Sequence, residues 1–565
     1  MGSTSGSRVG ARHWPPAQAT LALPTLPNPQ AALEPPMHRL IHLLAASALV
    51  ALFLAVPAAP AQAKTLRWAS QGDALTLDPH SQNEGLTNAM NGQVYEKLVK
   101  RDRQLGITPG LATRWQQTGP LSWRFKLRQG VKFHDGTPLT VDDVVFSVLR
   151  AQQPTANIAV YASALGTPVA LDHETVEFRL ARFNPIFLQH LDTVFIMSKA
   201  WCDKHKVTRP LDFKNKEESY AGFNANGTGP FMLVSRQPGI KTTYKRNPAW
   251  WGAFDGNVLD VVYTPIANDA TRLAALVSGE IDLVLDPAPR DVPRLRNTAG
   301  VKVLDGPENR VLFIGMDQHR DELLYSSVKG KNPFKDERVR RALYQAVDIQ
   351  TIKTKLMNGL SLPTGSLMAS MQAQYNDAQF EARLPFDLPR ARALMADAGY
   401  AEGFEVTLDC TNNRYVNDEE ICIALAGMWA QLKVRVKVNA QPRSLWFPRM
   451  EKFDTSLFLL GWGGAITDAE TTFTPVFRFP APNGVGIYNW GRVKNDKFEA
   501  LAVASSQESD AKKREALVTA ALREYQSQTH LIPLHRQMVP WAMRTGVLPV
   551  HRADNWLEWA WVTLP

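Results

Sequence analysis

The residues of this chain whose side chains could take part in a reaction are few, and their spacing assembles no catalytic constellation. Leu457 to Leu460 is an apolar run that reads as a buried strand; it ends at Gly461-Trp462, and Gly463-Gly464-Ala465 follow. A glycine-rich turn exposes backbone N–H and C=O groups. An extended peptide taken out of water needs such groups, because its own backbone must be hydrogen-bonded. From composition alone the same stretch reads as a core tryptophan and a turn, since tryptophan is commonly buried. Nothing nearby supplies a reaction. The G-x-S-x-G, Walker A, H-E-x-x-H and C-x-x-C motifs are absent. His134, His190, His205, His319 and His535 are dispersed, and the paired acids Asp142-Asp143 and Glu419-Glu420 are adjacent, so on a helix they point apart. We expect no enzyme, no cofactor and no metal site built from protein ligands alone.

An α/β framework must position these residues. A chain of 565 residues exceeds one ordinary core, so two or more lobes are predicted. Lys64–Ser70 opens as a strand, and Leu86–Leu98 reads as an amphipathic helix. Between Leu121 and Ser147 a strand (Trp123–Leu127), a turn at Gln129-Gly130, a short strand (Val131–His134) and a tight Asp135-Gly136 turn lead to a helix. Thr140 caps that helix, and Asp142 and Asp143 sit at its positive end. A helix over Asp269–Ser278, stopped by Gly279 and followed by the strand Ile281–Leu285, has the rhythm of a βαβ unit. Arg310–Met316 is a buried strand candidate. Helices over Arg338–Leu356, Arg390–Ala398 and Asp418–Leu432, with strands Phe404–Leu408 and Val434–Val438, build a second α/β lobe. A charged helix from Asp496 to Gln528, broken near Ser509-Asp510, precedes the strand Leu531–His535.

The N-terminal region points to export. Met37-His38-Arg39, an apolar core (Leu43–Val56) too short to span a bilayer, and Ala61-Gln62-Ala63 form a secretory signal over residues 37–63. The mature protein is then expected to start at Lys64. Residues 1–36, rich in Pro, Ala, Ser and Gly, precede a translation start at Met37 or form a disordered leader. No cysteine stands at the cleavage site, so a product free in the periplasm is expected rather than a lipid-anchored one. The net charge of +9 falls by two once Arg8, Arg12, Arg39 and Glu34 leave, and the remaining basic residues are mixed with acidic ones; there is no nucleic-acid footprint. Of the three cysteines, Cys410 and Cys422 lie close enough in sequence to pair, but three buried thiols is the favoured reading.

The string LRQGVKFHDGTPLTVDDVVFS at 127–147 resembles the signature of the family 5 extracellular solute-binding proteins of ABC transporters, which include dipeptide-, oligopeptide- and nickel-binding proteins. The resemblance recurs in order: LDP at 77–79, YEKLV at 95–99, GTGPF at 227–231, RNPAWWG at 246–252, SGEIDLV at 278–284, VRRALYQAVD at 339–348, RARALMADAGY at 390–400 and IPLH at 532–535. It implies a two-lobed periplasmic-binding-protein fold of type II, with an extra subdomain in the first lobe and the ligand cleft between lobes. Lobe I would span 64–309, with the subdomain at roughly 101–226; lobe II would span 310–531, and 532–565 would return to lobe I. It implies a periplasmic, monomeric protein that catches a small peptide or peptide-like solute for an ABC permease and ATPase complex. The alternatives are a metal complex, haem, or a sugar or amino-acid conjugate as ligand, or a chemosensory role. By the same resemblance Trp462, Gly463 and Gly464 line the cleft, Arg414 in NNRYVND holds a ligand carboxylate, and the loop Asn83-Glu84-Gly85 faces the ligand. Glu84 is a candidate contact there, although a loop glutamate is more often solvated. Peptide binders of the family carry an aspartate three residues after this tryptophan, where it meets the ligand's ammonium. Here Ala465 stands at that position, and Asp468 is the candidate substitute.

Overall fold

The computed structural model describes residues 64–368, 378–463 and 468–565. The segments 1–36 and 37–63, and Gly464 and Ala465, lie outside the described residues. In chain order the strands are β1 (Thr65–Ser70), β2 (Val99–Arg101), β3 (Ile107–Pro109), β4 (Ala112–Gly119), β5 (Ser122–Leu127), β6 (Thr167–Ala170) and β7 (Thr175–Arg179). They continue as β8 (Phe231–Gln237), β9 (Lys241–Arg246), β10 (Asp260–Pro265), β11 (Leu283–Leu285), β12 (Val301–Met316) and β13 (Ser361–Pro363). The last four are β14 (Glu405–Thr411), β15 (Arg435–Gln441), β16 (Leu457–Gly463) and β17 (Leu531–Arg544). Among the described residues eleven strands form one sheet, in the order β15-β14-β16-β12-β17-β11-β1-β10-β9-β8, with β13 also on β17.

Two long antiparallel strands, β12 and β17, divide this sheet into wings. On one side β11, β1 and β10 run parallel; on the other, β14 runs parallel to both β15 and β16. Both long strands outrun the short ones the sequence suggests, because each serves both wings. The first part of β12 pairs only with β17, whereas Arg310–Met316 also pairs with β16. The register on β17 shifts between Pro307 and Val311, and around this interruption Glu308 and Arg310 reach an internal cavity.

Each wing has its own core. Trp68, Tyr244, Tyr263, Trp541 and Trp559 pack in one. In the other, Leu343, Trp429 and Leu457 belong to one apolar cluster, and Trp446, Trp462, Phe473 and Trp490 to a second. The separate antiparallel sheet β4-β5-β7-β6 packs on the helix Val141–Ala151 around Phe125, Val144 and Phe178. The Asp143 carboxylate accepts from Thr140 N and Oγ1, both at 2.8 Å, which fixes the start of that helix.

Several elements differ from the sequence reading. The helix expected over Leu86–Leu98 covers only Gly85–Asn91. Beyond it the carbonyls of Gln93, Val94 and Leu98 accept from Phe231, Gly229 and Gly110, and this tertiary pairing replaces the helical ladder. The helix expected over Arg338–Leu356 stops at Gln345, and Asp348 caps a new turn by accepting from Gln350 N and Thr351 N. The charged helix splits where expected, into Asp496–Gln507 and Ala511–Ser527, with Asp510 accepting from Lys512 N and Lys513 N. The cysteine reading is corrected. Cys410, near the end of β14, and Cys422, on the helix Asp418–Ala430, stand 6.8 Å apart at Cα and are bridged; Cys202 is a buried thiol. Among the described residues no helix is long and apolar enough to cross a membrane.

Candidate functional site

The site is built at strand ends. The loop after β14 is held from three sides. Asp418 accepts from Arg414 N at 3.0 Å and Tyr415 N at 3.2 Å, the Tyr415 hydroxyl donates to Gly461 O at 3.1 Å, and the Cys410–Cys422 bridge closes the loop's base. So fixed, Arg414 sends its guanidinium to the Glu84 carboxylate on the opposite wing. Glu84 is itself a helix cap, accepting from Leu86 N (3.3 Å), Thr87 N (3.0 Å) and Thr87 Oγ1 (2.8 Å). A second arginine, Arg443, opens the helix Arg443–Met450, pairs with Glu84 at 2.9 Å and donates to the Asp73 carbonyl.

This triad is dry. Side-chain exposures are 8% for Arg414, 4% for Arg443 and 3% for Glu84. Burial works against the Glu84 charge, but Arg443, Arg414 and the Thr87 donors outweigh it and hold the carboxyl at about 2. Among the described residues neither arginine pairs with a second carboxylate, so two guanidiniums share one anion and the cluster carries one excess positive charge.

Beside the triad lies a cavity of about 100 Å³ reached by Asn83, Gly85, Arg310, Arg414, Trp462 and Gly463. Trp462 is buried; its Nε1 donates to Thr471 O at 3.1 Å and its ring packs on Tyr488 with centroids 4.9 Å apart. Gly463 is required by packing, since a Cβ there would fall 1.8 Å from Asn309 O on β12. Asn83 Oδ1 accepts from Asn88 Nδ2 at 3.0 Å. Arg310 donates from Nε to Glu308 at 2.9 Å, with its Nη1 3.4 Å from Gly461 O.

The structure thus brings Asn83, Glu84, Gly85, Arg414, Trp462 and Gly463 together; Gly464 and Ala465 fall outside the described residues. Asp468 is placed elsewhere. It is buried, held by Arg514 through two bonds of 2.9 and 2.7 Å, and is not among the described residues lining this cavity. Glu84 is buried rather than solvated, because two arginines from the other wing cover it. Sequence reasoning missed Arg443 and the Glu308–Arg310 pair. One signal was available: an arginine in the first turn of a helix opposes the helix dipole and calls for an anion elsewhere.

The family model of the bacterial extracellular solute-binding proteins, family 5 (middle), matches residues 106–482. The chain belongs to this family. The dipeptide-binding protein of Escherichia coli K12 is 27% identical over 497 residues, covering 82% of this chain and 88% of that protein. The probable deoxycholate-binding periplasmic protein YgiS of the same strain is also 27% identical, over 527 residues, covering 89% and 93%. Among solved structures, the periplasmic binding protein DppA of Helicobacter pylori in complex with the peptide STSA has a TM-score of 0.77 at 22% identity, covering 88% of this chain and 98% of that one. The fold is therefore the two-lobed fold of family 5 periplasmic binding proteins. Two relatives of equal identity carry names with unlike ligands, so family membership leaves the solute of this member open.

Proposed function

We propose that this chain is the periplasmic substrate-binding component of an ABC importer, and that it delivers a small peptide or peptide-like solute bearing a carboxylate to a membrane permease and its ATPase. The observation that carries the reading is the excess positive charge of the Glu84–Arg414–Arg443 triad at the junction of the wings. A ligand carboxylate at Arg414 neutralises it, and a planar guanidinium suits a carboxylate. Trp462 then walls the cleft, and backbone groups around Gly463 and Gly464 pair with the solute. No covalent step is involved. Micromolar binding corresponds to about −8 kcal/mol, within reach of a buried cleft with a few charge-assisted bonds.

In this reading lobe I spans residues 64–309, with its subdomain near 101–226, lobe II spans 310–531, and 532–565 returns to lobe I. The two crossing strands act as the hinge, and solute shifts the population toward closure because it binds the closed form more tightly. The protein acts as a monomer, exported through the signal at 37–63. With Ala465 in place of an acid and Asp468 engaged by Arg514, an amine is the less favoured handle, so blocked or non-peptide carboxylates compete with free peptides. The test is mass spectrometry of small molecules released by denaturing natively purified protein. A carboxylate-bearing peptide or conjugate is expected; reproducible recovery of a cationic solute without a carboxylate contradicts the reading.

A further inference from the structure

A second and larger cavity, of about 590 Å³, lies on the far side of the triad. It opens where strands end in both wings. Residues 71–76 follow β1, Pro265 and Ala267 lie at the end of β10, Asn413 follows β14, and Arg443 follows β15. In open α/β sheets the crevice outside the carboxyl ends of the parallel strands is the usual place for a ligand. A small cavity of about 40 Å³ shares lining residues with both: Asn413 and Arg443 with the outer chamber, and Gly85, Arg310 and Arg414 with the inner one. The outer walls are mixed: Leu75, Phe213, Phe223 and Pro448 supply apolar surface, and Asp73, Lys216, Glu217, Glu218 and Arg236 stand among them. Arg443 is buried and lines the outer chamber and the small cavity, and its Nε has no hydrogen-bond partner among the described residues.

We propose that this outer chamber is a ligand site, and that the solute is an amphiphilic carboxylate whose anionic group sits on the Arg414–Glu84–Arg443 cluster and whose apolar body fills the chamber. The inference rests on the solute-binding reading above and gives it a substrate class. Two facts argue for it together. The cluster holds two guanidiniums for one carboxylate, and the larger volume adjoining it offers Leu75, Leu211, Phe213, Phe223 and Pro448 as apolar surface beside the Asp73–Arg236 ion pair. A chamber of 590 Å³ lies within the range of small-molecule sites.

The test uses the mature protein and four defined probes in titration calorimetry: N-decanoylglycine, its amide, N-acetylglycine and alanyl-alanine. N-Decanoylglycine is expected to bind at least tenfold more tightly than N-acetylglycine, which lacks the body, and than the amide, which lacks the charge. Ser444→Trp and Ala267→Trp fill the chamber from opposite walls at exposed positions, and each is expected to erase the preference for decanoyl over acetyl. Affinity for alanyl-alanine should stay within twofold in both. Equal binding of decanoyl and acetyl probes by the wild type, or a decanoyl preference that survives both fillings, overturns the proposal. Binding of alanyl-alanine without N-decanoylglycine refutes the chamber and spares the peptide reading. The reverse refutes the free-peptide reading and spares the chamber.

Discussion

Glu84 and Glu451 are both buried glutamates whose partners lie far away in sequence, yet one is held charged and the other is driven toward neutrality. Glu84 faces two guanidiniums and is held at about 2. Glu451 accepts from Asn157 Nδ2 at 3.1 Å; burial is the largest influence on it and pushes it up to about 7, with amide hydrogen bonds and Lys214 opposing weakly. The difference teaches that burial alone does not set charge here; the count of nearby cations does. It also sets opposite pH responses. The stabilisation from Glu84 is fully present above its unfolded value of 4.5 and is lost as pH falls toward 2. For Glu451 the folded form holds its proton more tightly than the unfolded form. Stability is therefore lost as pH rises from about 4.5 to about 7.

The contrast can be broken by substitution, starting with the largest effect. Glu84→Ala leaves Arg414 and Arg443 buried without their anion and is expected to cost about 3–5 kcal/mol in chemical denaturation. A loss under 1 kcal/mol would mean that the arginines find solvent or another partner. Replacing Cys410 and Cys422 with serine frees the base of the Arg414 loop; for a bridge between residues 12 apart the chain-entropy argument gives about 3 kcal/mol. Denaturation of wild type with and without reductant should show the same difference. Asp468→Asn weakens the Arg514 pair and is expected to cost about 1.5–3 kcal/mol while leaving solute affinity unchanged. A matched loss of affinity would put Asp468 in the site after all. Glu451→Gln should leave stability at pH 5 nearly unaltered and flatten the fall between pH 5 and 7, a slope of at most about 1.4 kcal/mol per pH unit. An unchanged slope would assign the titration to another group, with Asp286, also pushed up to about 7, the first to examine.

Legibility followed the range of the interactions. The β5–helix unit was readable because its capping contacts are local: Thr140 and Asp143 are three residues apart. The break at Asp510 was readable for the same reason. Glu84 was not, since its partners sit 330 and 359 residues away and nothing in the loop itself calls for burial. The cysteine pair lay between these cases: its spacing allowed a bridge, and only the turn from β14 into the next helix brings the two residues together. Gly463 was legible as a glycine that matters, but part of the reason is the close approach of Asn309 on β12 rather than an open turn alone. The crossings near 310 and 532 came with the family resemblance and fall in β12 and β17; the full length of those strands and their pairing with each other could not be read, because that depends on pairings such as those of β12 with both β16 and β17.

The central claim is that a solute carboxylate completes the triad through Arg414. Titration calorimetry with one dipeptide in free and N-acetylated forms, against wild type and Arg414→Ala, tests it most directly. The N-acetylated form is expected to bind at least as tightly as the free form, Arg414→Ala should cost about 2–5 kcal/mol with either, and Ala465→Asp should move preference toward the free amine. Tight binding of the free form that N-acetylation abolishes and Arg414→Ala leaves unchanged would contradict the account.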